Sequence, residues 1–186
     1  MKRILLGLLA VFLLGGCKSE ESQLRNALAF RNAVLNASGC SFSAKVTTDY
    51  GDSIYVFTLD CTLESNGEMR ITVTEPESIA GITCTVAGKT GKLLFDETAL
   101  LFETLTDGQI TPIISPWLFM KAVRSGYISQ CGSQNGGMLL RIDDTFSDTS
   151  FCTEIRLNEN RTPIFAEILW QGRRIVSMQI TNFTIL

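Results

Sequence analysis

Apolar and polar residues alternate with a period of two over most of the chain after residue 39. In residues 40–47, for example, every second side chain is apolar and those between are polar. Such alternation is typical of strands with one buried and one solvated face. It predicts about ten strands, at residues 40–47, 55–63, 69–73, 82–86, 93–95, 100–105, 138–142, 151–157, 164–170 and 176–180.

Two segments have the longer period of a helix. In residues 19–36 apolar side chains recur at intervals of three and four, and Ser38-Gly39 ends the pattern, so one helix should pack this stripe on the sheet. The stripe consists of Leu24, Ala27, Leu28, Val34 and Leu35. A second helix should run from Ser115, as its N-cap, with Pro116 in the first turn, to Gly126. It is apolar nearly all round and must be covered on more than one side.

Burial of the apolar faces on one side also suggests which residues oppose each other in the hairpins. A first hairpin turning at Tyr50-Gly51 places Cys40 opposite Cys61, either as a cross-strand disulfide or as two small buried thiols in contact. In the second hairpin a loop of residues 65–67, with Gly67 in a left-handed conformation, sets Met69 opposite Leu63. In the last hairpin Ile168 should face Val176.

The first seventeen residues read as an export and lipidation signal. Two cations, Lys2 and Arg3, precede an apolar run at residues 4–14, and Gly15-Gly16-Cys17 follows in the order of a bacterial lipobox. The apolar run is shorter than the roughly 20 residues that span a bilayer, which argues against a permanent helical anchor. We expect residues 1–16 to be removed as a signal peptide, residues 17–22 to form the lipidated N-terminus and a short tether, and residues 23–186 to form one domain.

With Cys17 lipidated, five cysteines remain in an exported chain. The odd number leaves at least one thiol unpaired. In one interpretation, a second disulfide joins Cys131, in the glycine-rich loop after the helix, to Cys152. Cys84 is then the unpaired thiol. No two cysteines stand at the spacing of metal ligands, so no metal site is expected.

Charge and composition narrow the range of functions. Lys2 and Arg3 belong to the signal, which leaves 14 of the 16 basic residues against 19 acidic ones, a net charge of −5. Such a surface disfavours nucleic acid and offers no basic patch for anionic lipid headgroups. The chain has no histidine, which removes the commonest general base and metal ligand. Asp143, Asp144 and Asp148 lie in a polar segment typical of a solvated loop, so we expect neither enzymatic activity nor a cofactor.

About ten amphipathic strands in one sheet form one continuous apolar face. The sheet must therefore curve around other elements that cover this face. The expected fold is therefore α+β, a strongly curved antiparallel sheet that forms an incomplete barrel around one or two helices. Five features in this order together resemble the LolA-like and LppX-like lipoprotein carriers. They are the lipobox, the amphipathic first helix, the strand that ends at Pro76 before Ile79-Ala80-Gly81, the Ser115-Pro116 helix and the terminal meander. The resemblance covers most of residues 20–186 and implies a concave face that holds acyl chains.

Two functions follow from these expectations. In the first, a lipoprotein anchored on the extracytoplasmic side of a bacterial cell membrane or envelope binds a lipid or other hydrophobic ligand in the half-barrel. The expected lining consists of Phe42, Phe57, Leu59, Val73, Trp117, Phe119 and Trp170. In the second, the barrel is filled, and the protein is an envelope or sporulation-related scaffold that recruits a protein partner.

Overall fold

A computed structural model describes residues 17–88, 90–95, 98–103, 110–144 and 151–186. Eleven antiparallel strands form one sheet in the order β6-β5-β4-β3-β2-β1-β11-β10-β9-β8-β7. The strands are β1 (Gly39–Asp49), β2 (Ile54–Glu64), β3 (Met69–Glu75), β4 (Thr83–Ala87), β5 (Thr90–Phe95), β6 (Thr98–Glu103), β7 (Tyr127–Gln134), β8 (Gly137–Asp144), β9 (Phe151–Leu157), β10 (Pro163–Trp170) and β11 (Arg173–Ile185). The helices are α1 (Cys17–Asn36) and α2 (Ser115–Ser125), with 3-10 turns at Glu77–Ile79 and Pro112–Ile114.

The sheet is an open half-barrel built from two meanders. Strands β1 to β6 follow one another in space, β7 to β11 do the same, and β1 pairs with β11 to join the two halves. Among the described residues the edge strands β6 and β7 do not pair with each other. The expected α+β fold, a curved antiparallel sheet around helices, is confirmed.

Strand β7 was not expected. It runs through the glycine-rich segment that was interpreted as a loop, and it contains Cys131. Its side chains are half-buried or exposed without a regular alternation, since it is an edge strand with a bulge near Ser129. A strand of this kind has no fully buried face, and its sequence therefore carries no period-two signal.

Helix α2 fills the concave face of the sheet. Eight of its eleven residues are buried, and the rings of Phe119 and Phe42 pack edge to face with centroids 5.8 Å apart. The prediction that this helix is covered on more than one side is confirmed. The predicted N-cap is wrong: Ser115 has helical backbone angles, and Ile114 occupies the cap position, because the turn at Pro112–Ile114 runs directly into the helix.

Helix α1 packs on the body through only part of the predicted stripe. Its buried side chains are Ala27 and Val34 of that stripe, together with Phe30. Leu24, Leu28 and Leu35 are exposed, so the prediction that they pack on the sheet is wrong. Arg31 fixes this rotation, because its guanidinium donates hydrogen bonds to the carbonyl oxygens of Val123 (2.7 Å) and Gly126 (2.8 Å). Residues 17–22, predicted as a tether, lie within α1.

The register of the first hairpin differs from the prediction by two residues. Cys40 lies opposite Leu63, and Cys61 lies opposite Phe42. The cause is the loop, which is longer than the expected turn and is closed by a hydrogen bond from the Tyr50 N–H to the Ser53 carbonyl (3.1 Å). Cys40 and Cys61 are both free thiols, so the disulfide predicted between them does not form.

The other two hairpins have the predicted registers. Leu63 opposes Met69 across β2 and β3, and Gly67 has a φ of +87° in the loop between these strands. Ile168 opposes Val176 across β10 and β11. In both cases the turn is short and contains a glycine in the left-handed region, which restricts the loop to one length.

The predicted disulfide between Cys131 and Cys152 is also absent, since Cys152 is a free thiol. Cys131 pairs with Leu140 of β8, whereas Cys152 pairs with Asp143 of the same strand. Leu140 and Asp143 project from opposite faces of β8 because side chains alternate along a strand. The two cysteines are therefore separated both by a strand and by the thickness of the sheet.

Thiol labelling tests these assignments. We expect labelling in denaturant without reductant to modify Cys40, Cys61, Cys84 and Cys152, and the same four should react when reductant is added first. In the native state Cys40, Cys61 and Cys84 should be protected because they are buried. Mass spectrometry of the labelled peptides gives the result. A pair of these cysteines that reacts only after reduction would contradict the assigned register.

The packing of α2 predicts a large effect of truncating Phe119, which is fully buried. We expect Phe119→Ala to lower the free energy of unfolding by about 3–5 kcal/mol, since it removes apolar contacts and leaves a cavity. Leu101→Ala is the matched control, because Leu101 is 75% exposed and its loss should change stability by about 0.5 kcal/mol or less. Urea unfolding of both variants measures the difference, and equal effects would show that α2 is not a central part of the core.

Candidate ligand cleft at the mouth of the half-barrel

Two connections meet at one end of the half-barrel. The end of β1 pairs with the beginning of β11, so the loop between β1 and β2 lies beside the turn between β10 and β11. Between them opens a cleft with a volume of about 740 Å³, which we call the mouth cleft. It is lined by Asp49, Tyr50, Asp52, Ser53, Tyr55, Ile110, Trp170, Gln171, Arg173 and Ile175.

Local sequence explains both connections. The carboxylate of Asp49 accepts a hydrogen bond from the N–H of Gly51 (2.7 Å), which bends the chain two residues after the aspartate. At the other connection Gln171 and Gly172 have φ values of +50° and +79°. Two successive left-handed residues form the tight turn that matches the twist of antiparallel strands.

Aromatic rings form the walls of the mouth cleft, and two isoleucines form its apolar floor. The rings of Tyr50 and Tyr55 are 6.1 Å apart at an angle of 62°, and Trp170 is half-buried against the core. Ile110 and Ile175 are buried. The Tyr50 hydroxyl donates a hydrogen bond to the carbonyl oxygen of Ile110, which ties the β1–β2 loop to the segment that leads into α2.

The rim of the cleft carries both signs of charge. The Nη2 atom of Arg173 lies 3.6 Å from the Oδ1 atom of Asp49, and both side chains are more than half exposed. Asp52, also exposed, adds a second carboxylate. An exposed ion pair of this kind contributes little to stability, so its partners are available to a charged group of a ligand.

The seven residues predicted as a ligand lining do not share one surface. Trp170 lines the mouth cleft. Phe57 is half-buried and packs against the core. The remaining five are buried in the core itself: Phe42, Leu59, Val73, Trp117 and Phe119. Around α2 the concave face is therefore occupied by protein side chains.

Sequence reasoning did not identify most of the residues that line the mouth cleft. Tyr50, Asp52 and Arg173 lie in turns, where polar and aromatic residues carry no periodic signal. Ile110 is separated from them by more than fifty residues of sequence. The one signal that could have identified this end of the sheet is the position of Tyr50, Tyr55 and Trp170 next to two predicted hairpin turns.

The aspartates considered as catalytic candidates form ion pairs or lie outside the described residues. Asp144 forms an ion pair with Lys121 (2.8 Å), and Asp143 lies 3.9 Å from Arg141. Asp148 lies outside the described residues. The part of the chain that the structure describes contains no group of three or more carboxylate and thiol side chains that would hold a metal ion.

The predicted signal segment, residues 1–16, lies outside the described residues, and α1 begins at Cys17. Within residues 17–186, as far as they are described, neither helix has the length and apolar character needed to cross a membrane.

No protein-family model matches the sequence, and no curated protein matches it. Solved structures with a similar fold are found. A LolA superfamily protein from Nitrosomonas europaea is 10% identical, with a TM-score of 0.46 over 90% of this chain and 94% of the other.

Two further similar structures involve lipoproteins. The lipoprotein LppX from Mycobacterium tuberculosis is 9% identical, with a TM-score of 0.43 over 87% of this chain and 93% of the other. A chain in the structure of the CwlD amidase from Clostridioides difficile in complex with the GerS lipoprotein is 14% identical, with a TM-score of 0.46 over 85% of this chain and 92% of the other. These similarities concern the fold alone.

The environment of Tyr50 predicts a measurable titration. Burial raises the pKa of Tyr50 above the ordinary value of 10.0. The stabilising contribution of its neutral hydroxyl is therefore present below pH 10.0 and is lost as the pH rises through the pKa of the folded state. The tyrosinate absorbance of Tyr50 is the difference in absorbance between the wild type and Tyr50→Phe. We expect this difference to develop above pH 10.0.

The matched control is Tyr127→Phe, which removes an exposed phenol on β7 and gives the absorbance of one tyrosine. The stability difference between the wild type and Tyr50→Phe should also decrease in the same alkaline range. A Tyr50 titration at or below pH 10.0 would contradict the partial burial of its hydroxyl against Ile110.

Proposed function

We propose that the protein is a lipid-anchored lipoprotein on the extracytoplasmic side of the bacterial envelope, and that it binds an amphiphilic ligand in the mouth cleft. The lipobox that ends at Cys17 supports the anchor. The geometry of the mouth cleft supports the ligand. The ligand's apolar part lies against Ile110, Ile175 and the aromatic walls, and its polar group lies at the charged rim.

The observation that carries this proposal is the combination of size and lining. A volume of about 740 Å³ falls within the roughly 300–1,000 Å³ that is typical of small-molecule sites. Such sites combine apolar walls with placed polar groups. The mouth cleft offers both, since five of its ten lining residues are apolar or aromatic and five are polar or charged. Burial of each methylene of the ligand contributes about 0.8 kcal/mol, so a short acyl segment suffices for measurable affinity.

The filled core restricts where the ligand lies. Phe119 and Leu59 are fully buried in the core, so a long acyl chain along the whole concave face would have to displace α2. We therefore place the ligand at the mouth, where Trp170 of the predicted lining borders the cleft. This position also explains why Arg173 and Asp49 stand at the same end as the aromatic rings.

The test uses a dansyl-labelled undecanoic acid as the probe, with the chain from residue 18 onward. Every residue of the buried core lies between Ala27 and Ile180, so removal of the anchor leaves the core complete. We expect probe binding with energy transfer from Trp170. Trp170→Ala and Tyr55→Ala should each weaken binding by about tenfold, or about 1.4 kcal/mol.

Tyr127→Ala is the matched control, because it removes an exposed aromatic ring far from the mouth cleft and should leave binding unchanged. Native mass spectrometry of the same protein should show a co-purified lipid that the probe displaces. Probe binding that is equally strong in Trp170→Ala, or the absence of both probe binding and adduct, would contradict the proposal.

A second candidate function is the recruitment of a protein partner by a filled barrel. It is favoured by the hairpin of β5 and β6, where Leu94, Phe95, Leu100 and Leu101 are exposed. Strand β6 lies at the edge of the sheet, and an exposed apolar edge strand is a common site of strand addition by another chain. A protein that binds no probe and carries no lipid adduct would favour this candidate over the first.

A further inference from the structure

Helix α1 carries a second row of apolar side chains that the fold does not use. Leu24, Leu28 and Leu35 are 41%, 41% and 45% exposed. Their spacing of four and seven residues places them on one line along the helix, within roughly 40° of each other at 100° per residue. We call these three residues the leucine stripe.

The leucine stripe lies on the flank of α1, where Leu24 also borders an open groove against β7. The helix is attached to the body by Ala27, Phe30 and Val34, which form a separate buried row. Arg31 lies between the two rows, and its hydrogen bonds to the carbonyl oxygens of Val123 and Gly126 hold the buried row against the body. Packing of this domain therefore does not account for the row.

The position of α1 in the chain indicates what covers the stripe. The helix begins at Cys17, directly after the apolar run of residues 4–14. In the anchored protein proposed above, a lipid on Cys17 holds the beginning of α1 at the surface of a bilayer. At 1.5 Å per residue, Leu24 lies about 10 Å and Leu35 about 27 Å along the helix from Cys17.

We propose that the leucine stripe lies on the bilayer, so that α1 is an interfacial helix that docks the domain on the membrane surface. The proposal rests on the membrane anchoring proposed above and is independent of the mouth cleft. An amphipathic helix of this kind buries its apolar row at the boundary between headgroups and acyl chains.

The distribution of charge agrees with this orientation. Helix α1 contains three basic residues and two acidic ones, whereas the chain from Cys17 onward has a net charge of −5. The remainder of the chain therefore carries a net charge of −6, which disfavours contact with anionic lipid headgroups. The helix that begins at the anchor is thus the part of the surface least repelled by a membrane.

Docking through α1 also fixes the direction of the mouth cleft. Arg31 of α1 is bonded at the end of α2, near Val123 and Gly126. The mouth cleft lies at the other end of α2, next to Ile110 and the turn at Pro112–Ile114. The eleven residues of α2 separate the two by about 16 Å. A ligand would then enter the cleft from the aqueous side.

The test uses the full chain, reconstituted into vesicles of phosphatidylethanolamine and phosphatidylglycerol that contain a lipid brominated on its acyl chain. Leu28→Trp places a fluorophore on the leucine stripe. Ala33→Trp is the matched control, because Ala33 is exposed about 140° around the same helix. Both positions are exposed, so neither variant should lower the unfolding temperature.

We expect the brominated lipid to quench roughly half of the emission that Leu28→Trp adds to the wild type, since interfacial helices sit within about 5–10 Å of the acyl region. Emission added by Ala33→Trp should be unchanged. In the Leu28→Trp protein, the additional changes Leu24→Ser and Leu35→Ser should reduce the quenching.

The outcomes separate this inference from the anchoring on which it rests. A chain that does not float with the vesicles overturns the anchoring and the docking together. A chain that floats while Leu28→Trp stays unquenched overturns the docking alone. Equal quenching of both variants shows that α1 has no preferred face toward the lipid and also overturns the proposal.

Discussion

The packing of α2 against the concave face of the sheet is the interaction on which the rest of the structure depends. A sheet of eleven strands exposes one long apolar face, and such a face is stable only when another element covers it. Helix α2 can do this because nearly all of its surface is apolar. The rings of its Phe119 and of Phe42 on the sheet pack edge to face. The remaining concave surface is therefore limited to what α2 does not reach.

That limit determines the character of the candidate site. The mouth cleft lies where the chain turns into α2, so its floor is Ile110 and its walls come from the hairpin connections. Open space at this point is bordered by turns as well as strands, and turns supply polar groups such as Asp49 and Arg173. The same helix that fills the core thus converts a purely apolar surface into a small cleft suited to an amphiphile.

Alternation in the sequence predicted the strands and the curved sheet, but it could not determine every register. Registers that differ by two residues bury the same faces, so apolar pairing alone does not distinguish Cys40 opposite Cys61 from the observed Cys40 opposite Leu63. A short turn with a left-handed glycine removes this ambiguity, as Gly67 does. Such reasoning could not predict the mouth cleft. Tyr50, Ile110 and Trp170 are brought together only by the pairing of β1 with β11 and by the curvature of the sheet around α2.

Helix α1 shows a further limit of periodicity. The pattern of residues 19–36 established that the helix is amphipathic, but two apolar rows satisfy that pattern, and hydrophobicity does not say which one meets the protein. In the structure Ala27 and Phe30 face inward, and the Arg31 guanidinium reaches backbone carbonyls at the end of α2 and reinforces this packing. A helix fixed in this way carries one apolar row into the core and leaves Leu24, Leu28 and Leu35 exposed.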